Sequence, residues 1–358
     1  MEQIRRAAVA YYEHLPARNK KLARKTFKAM DKNGDGKISL LEYVNYLKKN
    51  KATDFIHPSI FTALDKDGNG SLDFKEAIVL YYIMKSGRAI ICKGCDSFLA
   101  GAYFSCSQCF FNDDSDSTYE ICCACYGGKN YTHHGDAIFC DNYTLLRQSR
   151  SVIQEAPIKN RRKVLKSHKK TLLVAEITVG LAGITVGAAE LASKYMEEIR
   201  RAAVAYYENL PEEKKQYARF IFNKMDRNRD GRINLHEYVK YLKKDNNTVF
   251  SHPSMFRALD RDGDGSLDFE ETITLYYILF SGRALFCKCC DTFLADIYFS
   301  CFQCFCLDES PSTYDICCDC YGGKRFTHHD DAIFWDNYTL LSQSRSLALE
   351  APVQVINL

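Results

Sequence analysis

The chain has 358 residues, 46% hydrophobic and 26% charged, so it holds apolar material for two or three packed domains and does not read as disordered. A formal net charge of +3 gives no global field for nucleic acid, and no nucleic-acid partner is expected. Its 17 cysteines would suit a secreted disulfide scaffold, yet Met1 to Arg6 leads into a Tyr-rich amphipathic segment and not an apolar signal sequence. A reducing compartment, cytoplasmic or nuclear, is therefore expected, with the thiols committed to metal.

Ile4, Ala8, Tyr11 and Tyr12 fall on one helical face, and Pro16 marks its end. A second helix is expected over 19–30, where Leu22, Ala23, Thr26, Phe27 and Met30 share a face. The next run, DKNGDGKISLLE, sets the oxygens of Asp31, Asn33 and Asp35 at alternating positions and bends at Gly36. It then offers the Lys37 carbonyl and Ser39, and closes with the two oxygens of Glu42. A second run, DKDGNGSLDFKE, begins 34 residues later and repeats the order with Asp65, Asp67, Asn69, Ser71, Asp73 and Glu76. Both runs closely resemble EF-hand calcium loops. The resemblance implies that they pair, with Ile38 and Leu72 facing across a short strand ladder, and that they bind Ca2+.

The helix leaving the second loop is expected to end at Gly87 as a left-handed cap, and Cys92 follows almost at once. Three C-x-x-C pairs then appear, Cys92/Cys95, Cys106/Cys109 and Cys122/Cys125, followed by His133 and His134. Each knuckle turns two thiolates toward one ion, and eight N/S ligands suit two Zn2+. The run Tyr119-Glu120-Ile121-Cys122, with Cys125 and Tyr126, resembles the ZZ-type zinc finger over Ile91 to Leu146. That resemblance implies a cross-brace: the first and third pairs share one zinc, and the second pair joins the histidines on the other. The histidines here are adjacent, which leaves Asp136 or Asp331 as a substitute for the second. Lys93 and Thr118, or Lys288 and Thr313, stand where such fingers carry acids that grip a free N-terminus. The DNYTLL segments at Asp141 and Asp336 are expected to be closing strands. Cys123, Cys140, Cys289, Cys306 and Cys318 lie outside the ligand pattern and are expected to be small buried hydrophobes.

The whole arrangement returns 195 residues later, Met1 to Pro157 aligning with Met196 to Pro352 without a gap. The repeated calcium candidates are Asp226, Asn228, Asp230, Arg232, Asn234 and Glu237, then Asp260, Asp262, Asp264, Ser266, Asp268 and Glu271. The repeated zinc candidates are Cys287, Cys290, Cys301, Cys304, Cys317, Cys320, His328 and His329. The expected domains are EF-hand pairs over 1–90 and 196–285, zinc modules over 91–157 and 286–352, a linker over 158–195 and a tail over 353–358. The expected fold is mostly α with small α+β zinc modules, each unit complete in itself. Loops opening at Asp65 and Asp260 carry more carboxylates than their partners, whereas Arg227, Arg229 and Arg232 interrupt the loop at Asp226; ligand charge tunes calcium affinity.

The linker opens with KNRRKVLKSHKK and continues as a largely apolar run carrying Glu176 and Glu190. It reads as a membrane-surface helix over 159–192, as a buried helix, or as a nuclear-localisation-like patch beside an apolar helix. No nucleophile with an oriented base, phosphate loop or open-site metal motif appears, so the chain is expected not to be an enzyme. The favoured reading is a calcium sensor or adaptor for protein partners. The alternatives are a cross-brace ubiquitin-ligase component and a calcium buffer.

Overall fold

The computed structural model describes residues 1–112, 118–158, 161–162, 196–244, 248–295, 297–307 and 313–350. Most of these residues are helical, with small antiparallel sheets between the helices. The first half opens with α1 (Glu2–His14) and α2 (Ala17–Met30), followed by β1 (Ile38–Ser39), α3 (Leu40–Lys49), α4 (Pro58–Leu64), β2 (Ser71–Leu72) and α5 (Phe74–Ser86). As expected, β1 and β2 pair antiparallel with Ile38 opposite Leu72. The starts of α3 and α5 are fixed by reciprocal capping boxes, Ser39 with Glu42 and Asp73 with Glu76, so each acid that closes a loop also anchors the helix leaving it. Gly87 ends α5 at φ 66°.

The cysteine module is built on β3 (Tyr103–Cys106), flanked by β4 (Glu120–Cys122) and β5 (Phe139–Asp141). Two short helices, α6 (Ser107–Phe111) and α7 (Cys123–Gly127), carry the cysteine pairs onward. The closing strand lies earlier than expected and ends at Asp141, where the DNYTLL strand was expected to begin. Asp141 accepts from the Tyr143 and Thr144 amides and from the Thr144 hydroxyl, so it caps α8 (Asn142–Glu155) and turns NYTLL into helix.

The same order follows in the second half: α9 (Glu197–Asn209), α10 (Glu212–Met225), β6 (Ile233–Asn234), α11 (Leu235–Lys244), α12 (Pro253–Leu259), β7 (Ser266–Leu267) and α13 (Phe269–Ser281). Its cysteine module holds β8 (Tyr298–Cys301), α14 (Phe302–Leu307), β9 (Asp315–Cys317), α15 (Cys318–Gly322), β10 (Phe334–Asp336) and α16 (Asn337–Glu350).

The halves are not self-contained, which corrects the expectation of two complete units. Helix α1 packs on α5 of its own half and on α15 of the other, while α9 packs on α13 and on α7. The residues explain how. Ala7, Ala8 and Ala10 are buried, giving α1 small faces toward both neighbours, and Ala202, Ala203 and Ala205 do the same for α9. Glycine meets them: a Cβ on Gly322 would lie 3.1 Å from Ala10 Cα, and one on Gly127 would lie 3.4 Å from Ala205 Cα and 2.6 Å from Glu208 Oε2. His14 stacks on Tyr321 at 4.1 Å, Arg6 pairs with Asp319, and Asn209 Nδ2 donates to the Tyr126 carbonyl at 2.9 Å. Helices α8 and α16 lie against each other, with Arg150 donating to the Phe305 carbonyl at 3.2 Å and Arg345 to that of Phe110 at 2.9 Å. Between the halves, the buried guanidinium of Arg88 sits 3.3 Å from the Tyr338 ring centre and that of Arg283 3.1 Å from Tyr143.

The apolar linker run over 171–193 lies outside the described residues, and so does most of the basic run before it. Among the described residues, no helix is long and apolar enough to cross a membrane.

Candidate metal centres

All four acidic loops share one closed shape. Glycine at the sixth position takes φ of 83°, 81°, 82° and 85° at Gly36, Gly70, Gly231 and Gly265, a bend that side chains resist. In the first loop, Asp31 accepts from the Gly34 and Gly36 amides at 2.8 and 3.0 Å. Asp65, Asp226 and Asp260 receive the amides of Gly70, Gly231 and Gly265 in the same way. The twelfth residue reaches back across the loop: Glu42, Glu76, Glu237 and Glu271 accept from the amides of Lys32, Lys66, Arg227 and Arg261 at 2.8, 2.6, 2.9 and 2.6 Å. The carboxylates of Asp65, Asp67 and Glu76 gather within 4.8 Å of one another, an acidic set suited to a hard cation such as Ca2+.

The middle positions complete each ring. Asn33 bonds Asp35, Asn228 bonds Asp230, Ser71 bonds Asn69, and Ser266 bonds Asp264. The Asp264 amide reaches Asp262. The ninth residues, Ser39, Asp73, Asn234 and Asp268, cap the exit helices by accepting from the amide of the closing glutamate. Hydrogen bonds from the Ser39 amide and hydroxyl hold the Glu42 carboxyl down at about 2, whereas burial pushes that of Glu271 up.

The cysteines assemble as the cross-brace pairing expects. Cys92, Cys95, Cys122 and Cys125 converge in one group, and Cys106, Cys109, His133 and His134 in another, ligand atoms within 4.8 Å throughout. Cys287, Cys290, Cys317 and Cys320, then Cys301, Cys304, His328 and His329, repeat both groups. Cys95 and Cys122 sulfurs stand 3.8 Å apart, as do Cys290 and Cys317. The edge of a tetrahedron with Zn–S of about 2.3 Å is about 3.8 Å, so the thiol quartets fit Zn2+. In the mixed quartet, Nε2 of His134 is 3.3 Å from Cys106 Sγ and Nε2 of His133 is 3.3 Å from Cys109 Sγ. Both adjacent histidines thus reach the site. Asp136 and Asp331 do not stand in for them. Each accepts from the far nitrogen of the second histidine, at 2.8 Å on His134 Nδ1 and 2.8 Å on His329 Nδ1, which fixes the tautomer that presents Nε2 inward. Tyr119 and Tyr314 stack on His133 and His328 at 3.8 and 3.9 Å and hold those rings in place. Burial and the Cys106 thiol push Cys109 up to about 11, so metal entry must release protons.

Two stretches match EF-hand families. Residues 215–277 match the EF-hand domain pair and residues 23–47 match the EF hand, covering both loops of the second half and the first loop of the chain. Comparison with curated proteins and with solved structures gives no match. Calcium binding is therefore the function that the matches support, while the Cys/His groups are compatible with Zn2+ on their chemistry and geometry.

Two features escaped the sequence reading. Arg232, expected to offer only its carbonyl, extends its guanidinium to Asp264 in the partner EF-hand and lies 3.4 Å from Ser266 Oγ. The signal was available: Asn234 pairs with Ser266 across the ladder, which brings the seventh position of one loop beside the fifth of the other. In the first half the corresponding pair is Lys37 and the uncharged Asn69. The second feature concerns the spare cysteines. Cys123, Cys306 and Cys318 are buried and Cys140 is half-buried, but Cys289 is exposed, which corrects the expectation of a buried hydrophobe.

Proposed function

We propose that the chain is a calcium-responsive, zinc-stabilised binding protein and not an enzyme. In this reading two EF-hand pairs report calcium, and two ZZ-type fingers in tandem with them present a surface to a protein partner. The observation that carries it is the short rigid path from calcium to zinc. Helix α5 begins at the Asp73–Glu76 capping box and ends at Gly87. Arg88 follows directly, buried, with its guanidinium donating to the Ala100 carbonyl and resting on Tyr338 of the other half. A rotation of α5 on calcium binding has no slack in which to dissipate before it reaches the zinc modules.

A partner surface is supported by the second EF-hand pair. Tyr217, Phe220 and Phe280, each at least half exposed, line a groove with Tyr241, Tyr276 and Leu279. The corresponding first-half positions of the first three are Leu22, Lys25 and Lys85, so the halves have diverged on this face. An aromatic groove of this kind suits an apolar helix of a partner protein.

Hydrogen exchange on the full chain tests the reading. Calcium is expected to change amide protection in α5 and in residues 88–112 together. Protection that changes in the loops while residues 88–112 stay constant would leave a calcium buffer beside an independent zinc module.

A further inference from the structure

Within their C-x-x-C pairs the two four-thiol clusters differ at two residues, Ala124 against Asp319 and Gly94 against Cys289, and the second difference adds a thiol. In the first half, Gly94 lies between Cys92 and Cys95, and a Cβ built there would meet Cys125 Sγ at 2.9 Å and the Asn130 carbonyl at 2.5 Å. The position thus points directly at a zinc-ligand candidate and at the turn after α7. In the second half the same position is Cys289. Its thiol lies against the Arg325 carbonyl, the counterpart of Asn130, on the side where a first-half Cβ would meet Cys125, whose counterpart is Cys320. Cys289 is exposed to solvent, while Cys320 is buried. Five thiols therefore stand at a site that needs four; Cys289 and Cys290 are both exposed, and Cys289 is the one outside the quartet.

We infer that Cys289 and Cys320 form an oxidant-sensing pair that opens the four-thiol zinc site of the second half and leaves its first-half twin intact. The oxidant is hydrogen peroxide. The Cys289 sulfur attacks one peroxide oxygen; an S–O bond forms, the O–O bond breaks, and the departing oxygen leaves as water after taking a proton. The Cys320 thiolate then leaves the metal and attacks the sulfenic sulfur. An S–S bond forms, and the hydroxide expelled takes a proton as the second water. The two sulfurs lose one electron each and the peroxide takes both. Zinc left with three thiolates is no longer closed in a tetrahedron, and dissociates. A thiol reductant reverses the step by exchange and the site refills.

This inference rests on the zinc reading above, and the two fail differently. The purified full chain is first assayed for zinc; a chain that reconstitutes without zinc sinks the zinc reading and this inference with it. The zinc-loaded chain is then titrated with hydrogen peroxide, with released zinc read by a chromogenic chelator and disulfides by peptide mapping. The expected result is an early release phase of one zinc equivalent accompanied by a Cys289–Cys320 peptide, reversed by dithiothreitol. Cys289→Gly, which restores the first-half residue, and Cys289→Ser, which keeps the side-chain size, should both lose the early phase and keep full zinc content. Zinc leaving both halves at equal rates, an early phase that survives both variants, or a first disulfide between other cysteines overturns the proposal.

Discussion

Arg232 offers the sharpest test of how the EF-hand pairs are tuned. Its guanidinium occupies Asp264, the fifth-position ligand candidate of the neighbouring loop, so an incoming Ca2+ must displace one cation from that carboxylate before it can use it. The side chains are 57% and 31% exposed, which places the pair in the solvent-screened regime where ion pairs are worth about 0.2–1 kcal/mol. Arg232→Ala removes both the competitor and a nearby positive charge. It should tighten calcium binding in the second half by about 1.4- to five-fold, since about 1.4 kcal/mol corresponds to a factor of ten. Isothermal titration on the full chain, with Glu42→Gln and Glu76→Gln silencing the first half, isolates the effect. Added salt should shrink the gain as it screens the pair. Lys37→Ala, in the half where the uncharged Asn69 is the counterpart of Asp264, should gain less. Unchanged or weaker binding in Arg232→Ala would show that the guanidinium stabilises the pair of loops more than it obstructs them.

Elemental analysis of the calcium-saturated chain should return one Ca2+ per acidic loop and one Zn2+ per Cys/His quartet, and Cys95→Ser should lower the zinc content by at least one equivalent. Acidification should empty the loop at Asp260 before the loop at Asp31. The Glu271 carboxyl is raised and takes a proton at a higher pH than an ordinary glutamate, whereas Glu42 stays ionised until pH nears about 2; calcium-dependent tyrosine fluorescence across an acid titration reads the order. Gly322→Ala, which drives a methyl against the α1 backbone, should destabilise the chain by about 1–3 kcal/mol in urea unfolding; an unchanged midpoint would mean that α1 is free to move away. A protease site inserted in the linker over 163–195 should, once cut, leave two fragments that co-elute in gel filtration, and separation on cutting would refute the crossed packing.

Much of the metal chemistry was legible because it depends on local spacing. The alternating acids, the sixth-position glycines and the C-x-x-C knuckles each fix their geometry within a dozen residues, so the loop rings and the knuckles followed from spacing, while the pairing of knuckles into quartets, which joins residues as far apart as Cys92 and Cys125, came from the resemblance to ZZ-type fingers. What escaped depends on contacts between distant elements. The alanines of α1 look like an ordinary amphipathic pattern, and nothing in their periodicity says that one face serves the other half of the chain. Capping by Asp141 also beat the strand pattern of DNYTLL, because three hydrogen bonds to one carboxylate outweigh the β-propensity of Tyr143 and Thr144. Arg232 was read by its backbone alone, and its side chain acted through the ladder register.

The crossed helices also impose an order on synthesis. The first zinc module is complete in ligands once His134 has been made, but its α7 surface awaits Ala205 and Asn209, which close over Gly127 and Tyr126. About 80 residues separate Gly127 from Asn209, or roughly 4–16 s at a translation rate of ~5–20 residues per second. For that interval the nascent first half presents an uncovered apolar seam beside its Cys/His quartets. The second module meets no such delay, because α1, its cover, precedes it in the chain.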